Sequence, residues 1–459
     1  MSNNKFDVCI VGAGVAGGTL AAYLSSTGKK VIVIEKMMGE SDKIIGELLQ
    51  PGGVEMLYNM NLEHVLDGID AQIIEGYGLF YREERIKVSY PTKEAKTYTG
   101  RGFRYGKFIS SIRNNLKSLP NVTLVEGNVT EMMEVGNKVV GVKYIDKHSD
   151  EEILVEASLT IACDGSGSIF RKRLSDAKQT VSSHFLGLEV KNENLPYPCH
   201  GHVMLLDPSP CLCYPISSAV CRVLIDFPTT VAPRKSDELI DYLKEKIVPQ
   251  FPLEIRANLV EAINGGKFKI MPANLVPAIP KFISGAILLG DSFNMRHPLT
   301  GGGMTVALTD VYSLTNILRN IDLNDDSVLA QAIKEYYEKH HYHNASINIL
   351  ADALYGVMRD PLLRKACFEY LKKGDGYAAE PISLLSAISR KRSTLLKHFF
   401  SVALFGVNDN LRYPTPTNVG KAFNMIKNAL QILNPLMLNE QPGVVVKSAL
   451  KVTGVILNK

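Results

Sequence analysis

Residues 6–17, with the sequence FDVCIVGAGVAG, decide the fold of this chain. An apolar run ends at Val11 and passes into three glycines, after which residues 15–27 have the spacing of a helix. A second apolar run, KVIVIE, follows at residues 30–35. Strands that are apolar at almost every position are buried on both faces, which is typical of a parallel sheet covered by helices. The stretch therefore predicts a strand–helix–strand unit with the glycines in its first turn.

The glycines follow the pattern GxGxxG, which is typical of a turn that binds the pyrophosphate of a dinucleotide. Gly12 allows the tight turn, Gly14 lets the backbone approach the phosphates, and Gly17 lets the helix pack on the strand. Glu35 ends the second strand, 18 residues after Gly17, where a carboxylate can bind ribose hydroxyls. The helix adds free N–H groups and the positive end of its dipole. The predicted cofactor-binding residues of this unit are Gly12, Gly14, Val15, Ala16, Gly17 and Glu35.

Two later strand ends indicate which dinucleotide is bound. Residues 160–165, TIACDG, end in Asp164-Gly165, and residues 286–291, AILLGD, end in Asp291. His297-Pro298 and the run Gly301-Gly302-Gly303 follow. In this order and spacing the motifs resemble the hydroxylase class of FAD proteins, which implies FAD as the cofactor. By that resemblance Asp291 holds the ribityl chain, and the helix after the glycines directs its N-terminus at the flavin ring.

The motifs at both ends of the first 310 residues imply a discontinuous cofactor domain. The predicted fold class is α/β with α+β character: a Rossmann-like FAD-binding domain of the flavin hydroxylase type, an inserted β-sheet substrate domain and a C-terminal helical membrane-associated region. The expected FAD-binding domain comprises residues 1–37, 110–165 and 270–320. The substrate domain comprises residues 38–109 and 166–269, and the helical region residues 321–459. The sequence has no second GxGxxG unit, so electrons come either from NADPH that docks transiently or from a partner protein.

The composition indicates the cellular compartment and bears on whether disulfides or metal sites are expected. The chain has 459 residues, of which 46% are hydrophobic, as in a folded protein. Its seven cysteines include no CxxC pair, so neither a disulfide framework nor a structural zinc site is expected, and reduced thiols facing the cytosol are predicted. The histidines at 340–343 lie in a helical stretch without a metal geometry, so no metal is predicted. Asp7 and Gly12 interrupt the first apolar run, so no signal peptide is expected.

The C-terminal tail differs in charge from the rest of the chain. The net charge is +4, whereas residues 390–459 contain 10 Lys and Arg and 2 Asp and Glu, a net charge of +8. A basic and apolar tail favours a membrane surface as partner, with a solvated helical face as the alternative, and no nucleic-acid partner is expected. Residues 395–407, 422–438 and 444–457 are too short or too polar for a bilayer span of about 20 apolar residues. We therefore expect the tail to lie in one leaflet.

The most discriminating motif is GDSFNMRHPLTGGGMTVA at residues 290–307, which resembles the squalene epoxidase family. GELLQPGG at 46–53, DPSP at 207–210, KACF at 365–368 and LLKHFFSVA at 395–403 agree with that family. The resemblance covers essentially the whole chain. Many animal members begin with a long extension that contains a membrane segment, which this sequence lacks, so the C-terminal helices are the expected anchor.

This resemblance implies an external flavin monooxygenase of sterol biosynthesis. In such enzymes reduced FAD reacts with O2 to a flavin hydroperoxide, whose distal oxygen passes to squalene and gives (S)-2,3-oxidosqualene. NADPH–cytochrome P450 reductase supplies electrons from NADPH, which agrees with the missing nicotinamide unit. The implied location is the cytosolic face of the endoplasmic reticulum membrane, monotopic, with lipid droplets as a second site. Squalene offers no hydrogen-bonding group, so apolar burial must supply its affinity.

The resemblance also assigns the catalytic residues Tyr77 and Gln50, because in the family a Tyr–Gln hydrogen bond orients the amide toward the reactive flavin edge. From the residues alone, Tyr77 would be a core tyrosine and Gln50 a loop residue that caps the next helix. Lys36 and Lys43 stand where the family commonly has arginine, and lysine lacks the bidentate geometry of arginine toward phosphate. The other implied cofactor contacts are Leu48, Arg113, Val129, Asp164, Asp291, Pro298, Gly301, Gly302, Gly303 and Met304.

Three other functions share parts of this pattern. A geranylgeranyl reductase has the glycine and Asp motifs but hydrogenates alkenes and makes no oxygenated product. An aromatic hydroxylase acts on polar phenols and needs no basic amphipathic tail. Prenyl-GTPase chaperones share the GxGxxG fold without flavin chemistry, and they do not need Asp291 or Gly301–Gly303. A flavin spectrum of the purified protein excludes the chaperones.

Overall fold

The structure is a computed structural model that describes residues 5–44, 46–93, 96–229 and 232–439. Strands and helices alternate in the first two thirds of the chain, and the last third is helical. The tail segment 444–457, which was expected to lie in one leaflet, is outside the described residues.

The strands fall into two large sheets and two small ones. They are β1 (Lys5–Val11), β2 (Val31–Glu35), β3 (Leu48–Leu49), β4 (Gln72–Ile74), β5 (Gly76–Tyr81), β6 (Glu84–Ser89), β7 (Thr92–Lys93), β8 (Lys96–Thr97) and β9 (Gly100–Gly102). They continue with β10 (Val122–Val135), β11 (Lys138–Asp146), β12 (Glu152–Ala162), β13 (Thr180–Lys191), β14 (His200–Met204), β15 (Cys211–Pro215), β16 (Val220–Phe227), β17 (Lys269–Leu275) and β18 (Ala286–Leu288).

The helices are short in the first part of the chain and long in the last. They are α1 (Val15–Ser25), α2 (Pro51–Asn59), α3 (Tyr105–Lys117), α4 (Arg171–Leu174), α5 (Asp237–Tyr242) and α6 (Leu253–Asn264). After β18 come α7 (Gly303–Leu318), α8 (Asp326–Arg359), α9 (Pro361–Lys372), α10 (Asp375–Leu385), α11 (Arg392–Leu411) and α12 (Pro416–Asn439).

A six-stranded sheet carries the glycine turn. Its parallel part has the order β10–β2–β1–β12–β18, and β11 pairs antiparallel with β10 and β12. The side chains of β1 and β2 are buried along most of their length, as their apolar sequences predict. Residues of α1, α3, α7 and the first half of α8 share one apolar core with this sheet.

A seven-stranded sheet has the order β17–β13–β16–β15–β14–β5–β6 and is antiparallel except where β14 pairs with β5. One set of its side chains forms a core with α5 and α6. Another set forms a core with α8 to α12, and this second core also contains Tyr77, Tyr90 and Leu299. The sheet thus separates two apolar cores, and the second one reaches the C-terminal helices.

The two sheets are built from interleaved parts of the chain. β18 adds to the six-stranded sheet although β13 to β17, which precede it, belong to the seven-stranded sheet. The predicted domain limits at 109/110 and 269/270 fall inside α3 and β17, and β17 pairs with β13 in the seven-stranded sheet. The division of the chain into these domains stays a prediction.

α12 presents two apolar faces. Ala422, Met425, Ala429 and Leu433 are buried against the body, whereas Val419, Phe423, Ile426 and Leu430 are exposed at the same helical spacing. Phe423 is 69% exposed, and Leu404 on the neighbouring α11 is 61% exposed. Within the described residues, no helix combines the length and the hydropathy that crossing a membrane requires.

Candidate active site

The glycine turn after β1 is closed on one side and open on the other. A Cβ atom at Gly12, whose φ is +98°, would lie 2.6 Å from the carbonyl oxygen of Cys163. A Cβ atom at Gly17 would lie 1.9 Å from the carbonyl oxygen of Gly12. At Gly14 the nearest atom would be the Tyr105 hydroxyl, at 3.9 Å. Packing therefore requires Gly12 and Gly17, whereas Gly14 borders space in which a ligand can approach the backbone.

Glu35 lies at the end of β2 and faces this turn. Its Oε2 atom accepts a hydrogen bond of 2.6 Å from the Ala13 N–H and lies 3.2 Å from an Arg113 nitrogen. Arg113 also donates to the carbonyl oxygens of Ala13 (3.0 Å) and Met37 (2.9 Å), and it is 7% exposed. Arg113 thus ties the turn to the end of β2. A carboxylate can accept about four hydrogen bonds, so Glu35 retains capacity for ribose hydroxyls.

The segment between β18 and α7 forms a second edge of the site. The Asp291 side chain is exposed there. Burial raises the pKa of the Tyr105 phenol, and the nearby charge of Asp291 raises it further. α7 follows the N-cap residue Gly302 and α1 follows Gly14, and neither residue supplies a side-chain cap. The first-turn N–H groups of both helices are therefore available to an anion or a polar ring.

Tyr105 connects these two edges. Its hydroxyl lies beside Gly14, and its ring lies 3.2 Å from the position of a Cβ atom at Gly46. The Sδ atom of Met304, in the first turn of α7, lies 3.9 Å from the same position. The glycine turn, the Gly46 loop and the start of α7 therefore line one cleft.

The predicted pair Gln50 and Tyr77 is in hydrogen-bond contact. Gln50 is fully buried, and its Nε2 donates to the Tyr77 hydroxyl (2.5 Å) and to the carbonyl oxygen of Thr300 (2.7 Å). Its Oε1 accepts from the Tyr90 hydroxyl at 2.8 Å. Burial raises the pKa of Tyr77 and of Tyr90, so both phenols carry their protons at neutral pH. A Cβ atom at Gly301 would lie 3.2 Å from Gln50 Nε2, so this glycine leaves room for the amide.

The other predicted cofactor-binding residues differ in how far they are buried. Leu48 and Met304 are buried near Gly301 and Gly46, and Val129 is buried in the core of the six-stranded sheet. Pro298 lies in a short 3-10 turn before Gly301. Lys36 and Lys43 are exposed, with Lys43 Nζ 5.7 Å from the centre of the Tyr105 ring. The Oδ2 atom of Asp164 accepts from the Ile169 N–H at 3.1 Å and so holds its own loop. Contact of these residues with a cofactor stays a prediction.

Three groups at the site were not identified from the sequence: Tyr90, Tyr105 and the Thr300 carbonyl. The sequence did indicate the face on which Tyr90 lies. Ile86, Val88 and Tyr90 alternate with polar residues, so they share one face of an extended segment that begins in β6. No sequence pattern indicated Tyr105, since its place beside Gly14 depends on how α3 docks. Thr300 acts through its backbone, which residue identity does not reveal.

A buried ion pair fixes the loop that leads to Gln50. Arg222 on β16 donates to both oxygens of Glu47, at 2.6 Å from Nε and 3.1 Å from a terminal nitrogen. Both side chains are almost fully buried, and Arg222 also contacts Glu189 at 3.1 Å. Arg104 forms a further pair with Glu189 at the surface, at 2.9 Å. Burial raises the pKa of the Glu47 carboxyl, and the Arg222 guanidinium opposes this change.

His297 holds the segment before the three glycines. The Leu299 N–H donates to its Nδ1 at 3.3 Å, so the neutral ring carries its proton on Nε2 and donates to the Ser183 hydroxyl at 3.1 Å. The ring stacks on Tyr355 with centres 3.5 Å apart, and the Tyr355 hydroxyl donates to Asp226. These contacts join the Pro298–Gly301 turn to β13, β16 and α8.

Acid is expected to destabilise the protein before its carboxylates are protonated. Burial lowers the pKa of His297 to about 3 and that of His202 to about 4. The unfolded histidines titrate near pH 6.5, so below that pH the unfolded chain binds two protons that the native chain excludes. Stability therefore falls as the pH falls, by about 2 kcal/mol per histidine between pH 6.5 and pH 5. Urea unfolding at pH 7.5 and 5.0 measures this loss. His202→Gln should remove about 2 kcal/mol of it; burial also lowers the pKa of His200 and of His343, so part of the loss remains. An unchanged pH dependence in that variant would contradict the assignment.

His340, from the histidine run, is paired within the core. Its Nδ1 lies 2.9 Å from Oδ2 of Asp310, and Asn344 donates to Oδ1 of the same carboxylate at 2.7 Å. The described residues contain no group of three or more side chains placed to hold a metal ion.

Three features of the cleft are suited to binding FAD. The open side of Gly14 and the uncapped start of α1 suit a pyrophosphate, and the uncapped start of α7 suits a flavin ring that gains negative charge. The carboxylates of Glu35 and Asp291 can accept hydrogen bonds from ribose and ribityl hydroxyls. A discontinuous parallel sheet with an inserted antiparallel sheet completes the arrangement.

Solved structures with this architecture include flavin-dependent monooxygenases and halogenases, so the chain has the fold of that class of proteins. A flavin-dependent brominase is similar with a TM-score of 0.68 and 18% identity, over 86% of this chain and 98% of that one. A probable FAD-dependent monooxygenase from Pseudomonas aeruginosa is similar with a TM-score of 0.64 and 18% identity, over 80% of this chain and all of that one.

Within that class the chain belongs to the squalene epoxidase family. Residues 156–423 match the family model described as squalene epoxidase. Squalene epoxidase 1 of Arabidopsis thaliana is 42% identical over 444 residues, which cover 95% of this chain and 83% of that protein. Squalene monooxygenase of Mus musculus is 39% identical over 448 residues, which cover 95% of this chain and 78% of that protein.

Proposed function

We propose that this chain is an FAD-dependent squalene monooxygenase of sterol biosynthesis, which converts squalene and O2 to (S)-2,3-oxidosqualene. The observation that carries the proposal is the buried Gln50–Tyr77 pair, which contacts the Thr300 carbonyl in the turn before α7. Tyr77 belongs to the apolar core that extends to α11 and α12. A hydrocarbon substrate needs such an apolar space with a few polar groups at the reacting end.

Residues of the cleft would hold FAD, which when bound supplies the activation of O2 for transfer of one oxygen atom to an alkene. Gly14 and the start of α1 would hold its phosphates, Glu35 its ribose and Asp291 its ribityl chain. Tyr77 carries a protonated hydroxyl beside Gln50, whose amide is engaged by Tyr77, Thr300 and Tyr90. The apolar residues around them, including Leu48 and Leu299, exclude water from the reacting end.

The apolar core behind Tyr77 is the expected location of squalene. Leu79, Leu212 and Leu224 of the sheet, together with Phe368 and Phe399 of the C-terminal helices, belong to it. Each squalene carbon that leaves water for this environment contributes to binding by about 0.8 kcal/mol per CH₂ group. Because these side chains are already packed, substrate entry must separate the sheet from the helices.

A membrane surface is the proposed second partner. The exposed apolar stripe of α12 and the exposed Leu404 of α11 are flanked by the basic residues Lys397, Lys421 and Lys427. Apolar and basic side chains on one surface helix favour binding in the interface of an anionic membrane. The proposed location is the cytosolic face of the endoplasmic reticulum membrane, with lipid droplets as a second site. NADPH–cytochrome P450 reductase at the same surface is the proposed electron donor.

Phe423→Asp is expected to weaken binding to vesicles that contain anionic lipid by about tenfold, because it places a charge in the apolar stripe. Sedimentation with vesicles of phosphatidylcholine and phosphatidylserine measures the bound fraction. Asn424→Asp introduces the same charge one residue further along α12, at an exposed polar position, and should change binding much less. Equal losses in the two variants would indicate a simple charge effect and contradict the stripe.

The product assay tests the function itself. The chain is purified in mild detergent and combined with FAD, NADPH, cytochrome P450 reductase, O2 and squalene, and the products are identified by mass spectrometry. Oxidosqualene that disappears when the reductase is omitted supports both the substrate and the electron route. A flavin-loaded protein that leaves squalene unchanged would instead direct the assay to prenyl alkenes and to phenols, the substrates of the alternative enzymes.

A further inference from the structure

Tyr90 is a third side chain in the Gln50–Tyr77 contact, and no motif of the sequence includes it. It follows β6 and is 3% exposed. β6 pairs with β5 so that Val88 lies opposite Tyr77, which places Tyr90 on the same face at the diagonal position. The rings of Tyr77 and Tyr90 meet edge to face, with centres 5.6 Å apart.

The orientation of the Gln50 amide follows from its partners. The carbonyl oxygen of Thr300 can only accept, so the atom of Gln50 that faces it must be Nε2. The second Nε2 hydrogen then points at the Tyr77 hydroxyl, whose oxygen acts as the acceptor. The other end of the amide, Oε1, can only accept, so Tyr90 must be the donor at that end. In this arrangement Gln50 does not use the proton of the Tyr77 hydroxyl.

We propose that Tyr90 is a positioning residue for epoxidation: it satisfies Gln50 Oε1 and thereby leaves the Tyr77 proton available to the reacting end of the site. The inference rests on the proposed function. Tyr90 does not itself reach into the cleft in this role. It acts through the amide of Gln50.

Removal of the Tyr90 hydroxyl leaves a buried amide oxygen without a donor, which is costly in an apolar environment. The Tyr77 hydroxyl is the nearest alternative donor, since it contacts the same amide at 2.5 Å. A turn of that hydroxyl toward Oε1 would satisfy the amide and withdraw the Tyr77 proton from the site. The loss of one hydroxyl at Tyr90 therefore becomes a loss of function at Tyr77.

Tyr90→Phe is expected to lower turnover per bound flavin by about tenfold, with KM for squalene and flavin content unchanged. Counting per bound flavin excludes any unfolded fraction. The double variant Tyr77→Phe with Tyr90→Phe should be no slower than Tyr77→Phe alone, because both act through the same proton. An unchanged turnover in Tyr90→Phe, or losses that multiply in the double variant, would overturn the proposal.

Urea unfolding of the flavin-free protein tests the same contact without any activity. Tyr90→Phe should lower the unfolding midpoint by about 0.5 M, and the effect should be markedly smaller in a Gln50→Leu background, where the Tyr77 hydroxyl remains but the amide acceptor is gone. A shift of the same size in that background would overturn the proposal even if squalene proved not to be the substrate. Tyr336→Phe is the matched control: it removes a buried hydroxyl bonded to the Leu288 carbonyl, and should lower stability but not turnover per flavin.

Discussion

Replacing Arg222 with methionine is expected to lower the free energy of unfolding by about 3–5 kcal/mol, the largest stability loss we expect from one side chain here. The substitution leaves the buried Glu47 carboxylate without its two hydrogen bonds from the guanidinium. Methionine fills much of the same volume, so the loss reflects the uncompensated charge and not a cavity. Urea unfolding at pH 8 measures the change.

The pH dependence of this loss distinguishes charge from packing. Without Arg222 the pKa of Glu47 rises further, because burial then acts without the opposing guanidinium. A raised carboxyl pKa penalises the native state at high pH, and the penalty disappears as the pH falls and Glu47 takes up a proton. The loss should therefore be smaller at pH 5.5 than at pH 8, and the added substitution Glu47→Gln should recover part of it at pH 8.

Arg104→Met provides the matched control for Arg222. Arg104 contacts Glu189 with similar geometry, but both side chains are a third or more exposed. Exposed pairs contribute about 0–1 kcal/mol, so this variant should be nearly as stable as the parent protein. Equal losses in the two methionine variants would show that burial of the Glu47 pair has no special effect.

Tyr77→Phe is expected to lower turnover per bound flavin by about 10²-fold while flavin content and the KM for squalene stay within twofold. The hydroxyl is a protonated donor in a buried apolar site, and its proton is not used by Gln50. Removal of one such preorganised donor typically costs about 10²- to 10³-fold in turnover. Steady-state rates with the reductase, together with the flavin absorbance of the purified variant, separate turnover from cofactor loading.

Two outcomes would contradict this role of Tyr77. An unchanged turnover would remove Tyr77 from the mechanism and leave it as a core residue. Loss of flavin in proportion to activity would assign it to cofactor binding. Tyr336→Phe, which removes an equally buried hydroxyl in the other core, should leave turnover per flavin as in the parent protein.

Patterns within short stretches of sequence predicted the parts of the fold that depend on interactions between residues close together in the chain. The strand–helix–strand unit at residues 5–35 follows from continuous apolar runs, and the need for Gly17 follows from contacts within that unit. The helix expected after the three glycines begins at Gly303, the last of them. The family was recognised from one long motif around Asp291.

Contacts between distant segments could not be predicted in this way. Arg113 was assigned to the site only through the family resemblance, and its burial depends on how α3 docks beside the end of β2. The pair of Glu47 and Arg222 joins residues 175 positions apart, and neither sequence neighbourhood marks the partner. Tyr90 is an intermediate case. The alternation of apolar and polar residues predicts which face its side chain occupies, but it does not predict that Gln50, the residue immediately before α2, is its partner.

The late position of β18 has a consequence for synthesis of the chain. β12 ends at Ala162, and its parallel neighbour β18 begins at Ala286, so more than a hundred residues are translated between them. At about 5–20 residues per second, this interval lasts about 6 to 25 seconds, during which the edge of β12 that later pairs with β18 has no strand beside it. The intervening antiparallel sheet can be completed first on the ribosome. Slow codons or a bound chaperone in this interval would therefore affect the yield of cofactor domain more than that of the inserted sheet.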